Sequence, residues 1–163
     1  MTVQPPHPPS LGVVFQEVKE RLTLQLHQVD TLDAKAGTVL TVASVVMTLG
    51  AGLPVATSND NIETGPLILL LGGTLFYVFA MFFGFRGYWL RNFRRDPEPG
   101  PLRDRYLLQE PDFTRRRIIA NMIESYGVNQ PLIESKVWNI KVGILLVGIQ
   151  TVTVVSALIL ERL

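Results

Sequence analysis

The chain has 163 residues, a formal net charge of +1, two histidines and no cysteine. That size suits one domain or a small membrane bundle, and the near-neutral charge gives no global field that would draw nucleic acid. The missing thiols exclude disulfides, thiolate metal sites and a cysteine nucleophile, and His7 and His27 alone leave a histidine metal centre or a Ser/His/Asp triad little to draw on.

The N-terminal "MTVQPPHPPS" holds four prolines in ten residues and reads as a disordered tail over 1–10. Ser10 offers a helix N-cap. From Leu11 the apolar residues Val14, Val18, Leu22, Leu26 and Val29 recur every three or four positions. Gln16, Lys19, Glu20, Thr23, His27 and Asp30 fill the other side, which defines an amphipathic helix over 11–35. Its apolar stripe has to pack on a later segment of the chain or on another copy.

Three uncharged runs follow: residues 36–59, 64–85 and 142–160, of 24, 22 and 19 positions. A helix needs roughly 20 apolar residues to cross about 30 Å of hydrocarbon. A chain this short has too little polar sequence to wrap three such helices as a soluble core. The runs therefore predict transmembrane helices over 36–57, 66–90 and 138–160, with a short outside loop at 58–65. The first run begins too late, and is too long, to be a cleaved signal peptide. No glycine or proline separates it from the amphipathic helix, so the two read as one continuous helix.

Lys and Arg set the topology. Lys19, Arg21 and Lys35 precede the first run, the connector "SNDNIE" carries neither Lys nor Arg, and 11 of the 15 basic residues lie between Arg86 and Lys141. The N-terminus and the connector over 91–137 are thereby expected on the cytoplasmic side, and the C-terminus outside. Small residues at four-residue steps, Ala36, Ser44, Thr48 and Gly52 in the first run and Gly72, Ala80 and Gly84 in the second, predict close helix packing. Tyr88, Trp89 and the neighbouring arginines form an interfacial belt.

Within the connector, "RRDPEPGP" forces a turn or an extended link, and "LRDRYLLQEPDF" suits a short helix or a loop. A helix over about 114–126 is expected, capped by Thr114 or Asp112, with Ile118, Ile119, Met122, Ile123 and Tyr126 on its apolar side. Gly127 and Pro131 are expected to interrupt or bend it before "LIESKVWNIK" leads into the third span.

No nucleophile elbow, P-loop, zinc-protease or dinucleotide motif is present, so the expectation is a protein that is not an enzyme and holds no metal. Asp30 and Asp33 lie three apart on one helix face. Paired carboxylates can do acid–base work, but capping or ion pairing at the membrane edge fits this position better. Lys35 marks that edge, its stem able to snorkel toward headgroups. The acids gain nothing from an anionic leaflet and call for a protein partner, for which the arginines at 91–95 or 115–117 are available. Gln150 and Thr151, midway along the third run, read as inward hydrogen-bonding groups rather than a pore lining. Arg115, Arg116 and Arg117 with Arg91, Arg94 and Arg95 form a basic surface. Anionic lipid headgroups suit it, and so does a phosphate-bearing ligand held by guanidinium forks.

"LDAKAGTVLTVASVV" resembles the segment that opens the first membrane helix in Pycsar-type transmembrane effectors. The order of parts is similar too: a cytoplasmic helix, two close membrane helices, a connector, then a third membrane helix reached past a lysine. In that resemblance "VNQPLIESKVWNIKVGILL" leads into the last helix and Lys136 is its lysine. The related SLATT group of membrane effectors shares the early part but not the third span. The likeness covers about residues 26–50 and 114–145. It implies an antiphage effector of the bacterial inner membrane, which answers a cyclic pyrimidine nucleotide from a neighbouring cyclase by oligomerising and impairing the membrane. Arg115, Arg116, Arg117 and Lys136 are the candidate ligand-binding residues, and no other cofactor is implied.

The expectation is therefore an all-α inner-membrane protein of three spans, homo-oligomeric and without nucleic-acid partners. Two alternatives stand beside the effector. One is a scaffolding membrane protein whose amphipathic helix recruits a cytoplasmic partner, and the other is a small channel subunit.

Overall fold

A computed structural model describes residues 10–56, 64–89, 92–95 and 99–162. The proline-rich tail through residue 9 and the connector over 57–63 lie outside the described residues. Four helices follow one another: α1 (Leu11–Ala56), α2 (Thr64–Tyr88), α3 (Pro99–Tyr106) and α4 (Pro111–Arg162). The protein is an all-helical membrane protein. Three of its helices, α1, α2 and α4, are long and apolar enough to cross a bilayer.

Local chemistry accounts for the helix ends. The Ser10 carbonyl accepts the first helical hydrogen bond from the Val14 N–H at 2.9 Å, so Ser10 occupies the expected cap position. From there α1 runs without a break for 46 residues. The start of α4 departs from expectation. Pro111 opens the helix, where its missing N–H is no loss, and the Thr114 N–H bonds back to the Glu110 carbonyl at 3.0 Å. Thr114 is thus already inside the helix, and Asp112 lies in the first turn, where a carboxylate favours the positive end of the helix dipole. Of the interruption or bend expected at Gly127 and Pro131, the interruption does not occur: α4 is one helix of 52 residues with Pro131 inside it.

The chain divides into two compact units, Met1–Asp30 with Arg91–Ile133, and Thr31–Leu90 with Glu134–Leu163. In the second unit the core combines small side chains with a few branched ones. On α2 the buried positions Pro66, Gly73, Ala80 and Gly87 recur every seven residues. On α1 the buried positions are Ala36, Val39, Ala43 and Gly50, and Ala36, Val39, Ala43 and Ala80 join Ile140 and Val147 of α4 in one cluster. The large apolar residues point away from it: Val42, Val45, Leu49, Leu71, Leu75, Phe79, Phe82, Ile144, Leu145, Val152 and Val155 are exposed. Small residues at the helix contacts and many large apolar ones facing out is an arrangement that water disfavours and that close helix packing in lipid favours.

The buried α1 stripe corrects the four-residue step expected from the sequence. Ser44 is only half-buried and Thr48 is exposed. A step of four advances about 400° around a helix of 3.6 residues per turn, so it drifts by about 40° each time. Alternating steps of three and four stay on one face.

Two glycines set the closeness. A Cβ on Gly84 would lie 2.6 Å from Leu40 Cδ2, and one on Gly143 would lie 3.1 Å from Val39 Cγ1 and 3.8 Å from the Gly84 backbone nitrogen. Along the pair α1–α4, contacts advance together on both chains: Asp33 with Lys136, Val39 with Gly143, Ala43 with Gln150, Gly50 with Val154. The two helices are therefore parallel in this unit.

In the first unit Leu22, Gln25 and Val29 of α1 and Ile119, Met122, Ser125, Asn129 and Ile133 of α4 are buried. The amphipathic stripe finds its partner within the chain, because Gln25 bonds to α4. Its composition differs from the expected one: Gln25 takes an inner position, while Val14 stays exposed and Leu26 is half-buried. On α4, Ile123 and Tyr126 face outward.

Candidate functional site

Lys136 is the largest fully buried side chain among the described residues. Its Nζ donates to Asp33 Oδ1 across the α1–α4 seam, with side-chain exposure of 1% for the lysine and 32% for the aspartate. A buried ammonium is strongly unfavourable unless it is paired and hydrogen-bonded, so position 33 must carry a negative acceptor. One turn further along α4, Asn139 is also buried, and its Nδ2 donates to the Ser135 carbonyl at 2.8 Å. Asp33 lies three residues before the first uncharged run, so the charged pair sits just outside that run.

This pairing sharpens the reading of the membrane-edge motif. Asp33 turns into the seam, while Asp30 and Lys35 are exposed. Its partner is a lysine of α4 and not the arginines at 91–95 or 115–117. Lys136 is accordingly occupied by Asp33, and about five turns of α4 separate it from Arg117. Arg115, Arg116 and Arg117 are exposed in the opening turns of α4, with the Arg117 guanidinium 5.6 Å from the Phe113 ring centroid.

Gln150 is wholly buried, and its Nε2 donates to the Ala43 carbonyl at 3.0 Å. The amide therefore joins α4 to α1 and lines no open path. Its Oε1 is buried without a hydrogen-bond partner among the described residues. Thr151 is half-buried and returns its hydroxyl to the Val147 carbonyl of its own helix at 2.8 Å. Thr38, Thr41 and Thr48 on the exposed side of α1 do the same with the carbonyls four residues back, which lets hydroxyls face lipid without an orphan donor.

The first unit holds a polar cluster that sequence reasoning missed. Gln25, 2% exposed, donates from Nε2 to the Tyr126 carbonyl at 3.1 Å and to Gln130 Oε1 at 3.3 Å. Asn129, fully buried, grips the main chain of Arg94 at both ends. The Arg94 N–H donates to Asn129 Oδ1 and Asn129 Nδ2 donates to the Arg94 carbonyl, each at 2.9 Å. The Arg94 guanidinium meets Glu124 at 2.7 Å on the exposed side. A signal was available: Gln25 lies midway between Leu22 and Val29, and Asn129 lies four residues before Ile133, so both occupy inward steps of their stripes.

Among the described residues no three His, Asp or Glu side chains gather as a metal site would require. The architecture is that of an all-helical membrane protein with a parallel helix pair tied by a buried ion pair. No family model, curated protein or solved structure matches the chain.

Proposed function

We propose that this protein is a non-enzymatic effector of the bacterial inner membrane, with its N-terminus and connector in the cytoplasm and its C-terminus outside. It senses a cyclic pyrimidine nucleotide through the basic connector and impairs the membrane on self-association. The observation that carries this reading is the buried Asp33–Lys136 pair. The two residues come from the two separate stretches that carry the effector resemblance, "LDAKAG" and "IESKVW", and they need each other physically. The exposed arginines at 115–117 supply guanidinium forks for a phosphate.

Two features weigh against the alternatives. The amphipathic stripe that a scaffold would offer to a partner is filled by its own chain at Leu22 and Val29. The intramembrane amide that a channel would need is buried at Gln150.

Expression in bacteria with and without cyclic CMP, cyclic UMP and their purine counterparts tests the proposal, read as dye uptake by the cells and as thermal stability of the purified protein. The expected result is uptake and stabilisation with one pyrimidine ligand, both lost when Arg115, Arg116 and Arg117 become Gln. A panel that neither shifts thermal stability nor permeabilises cells removes the effector reading.

A further inference from the structure

Pro131 sits inside α4, where its lack of an N–H removes the bond that the Gly127 carbonyl would accept. Proline also disfavours helical geometry at the residue before it, here Gln130. A helix left to itself kinks or stops at such a place. Glycine four residues earlier adds to the weakness, since a Cβ at Gly127 would meet nothing within 4 Å and no packing holds that face.

The turn nevertheless remains helical, and its polar groups are tied from outside. Gln25 of α1 holds the Tyr126 carbonyl, just before the gap, and the side chain of Gln130, just before the proline. Asn129, between them, is clamped through both its amide atoms to the main chain at Arg94. Three residues within one turn are thus bonded to two other segments of the chain. The first compact unit ends at Ile133, two residues past the proline.

We infer that residues 126–131 are a stitched joint in α4. Its helical state is supplied by Gln25 and by the Arg94 segment, and the turn opens when either stitch is released. The joint stands independently of the proposed function, since it needs no ligand.

Amide hydrogen exchange of the full chain in lipid nanodiscs tests it, read at residues 127–135 against residues 144–156 of the same helix. Gln25→Leu should speed exchange at 127–135 by at least about tenfold and leave 144–156 unchanged, because it removes the hydrogen-bonding stitch while keeping an apolar side chain to fill the site. Asn129→Leu should act in the same direction. Pro131→Ala restores the missing N–H, so it should slow exchange at 127–135 below the unsubstituted level and cancel the effect of Gln25→Leu when the two are combined. Unchanged exchange in Pro131→Ala, or acceleration in Gln25→Leu that persists after Pro131→Ala, overturns the joint. Acceleration of both segments together in Gln25→Leu also overturns it, since it marks a general loss of structure.

Discussion

The two compact units are built from the same two long helices with opposite materials. In the first, α1 and α4 bury Leu22, Val29, Ile119, Met122 and Ile133, with Gln25 and Asn129 bonded between them. In the second, the same helices bury Ala36, Ala43, Gly50 and Gly143 together with Val39, Ile140, Val147 and Val154, and turn Val45, Leu49, Ile144 and Leu145 outward. The first follows the rule for water, where large apolar groups gain most by hiding. The second follows the rule for lipid, where large groups gain nothing by hiding and small ones let backbones approach. The contrast lies in side-chain size as much as in polarity. It falls along single helices that continue through both settings.

The sharpest way to break this contrast is at the ion pair, whose Lys136 is the one charged side chain buried among the described residues of the lipid-type unit. Asp33→Ala takes the carboxylate away from the buried Lys136 ammonium, and the expected loss is about 3–5 kcal/mol in reversible unfolding from detergent micelles. Lys136→Met should be milder, because the Asp33 carboxylate is one-third open and can reach water. Equal losses for the two would mean that the lysine is not the buried partner.

Truncations of a buried side chain in the first unit and an outward one in the second then probe the contrast. Met122→Ala, at 2% exposure, should destabilise by about 2–5 kcal/mol. Leu145→Ala, at 64% exposure, should change stability by less than about 1 kcal/mol. The same assay reads both, and a large effect at Leu145 would show that the outward face is covered by protein. The smallest effect is expected at Gln150→Leu. Its one interhelical hydrogen bond is worth about 0.6 kcal/mol in a membrane setting, and the unpartnered Oε1 removes part of even that.

Much of this was legible in the sequence for a physical reason: twenty uncharged residues in a row have few alternatives to a spanning helix. The continuity of α1 was legible too, because nothing between Val29 and Gly37 breaks a helix. Pro131 misled, since a proline's effect depends on whether neighbours stitch the turn, and Gln25 is over 100 positions away in the chain. The partner of Asp33 was sought among the arginines because they are many and clustered. Lys136 carries a quieter mark: it falls on the inward series with Ile133, Ile140 and Gly143, where a charge demands a partner. The small-residue stripe was recognised with the wrong step, because Ala36, Leu40, Ser44 and Thr48 mimic a face that in fact rotates away.

The central claim is that α1 and α4 lie parallel in the second unit with their buried faces together, and the absence of cysteine makes it directly testable. Val39→Cys combined with Gly143→Cys, oxidised in native membranes, should give a cross-link within one chain. Val45→Cys with Leu145→Cys, both on outward faces, should not. Cross-linking of the outward pair within a chain, with none between positions 39 and 143, would contradict the pairing on which every other prediction rests.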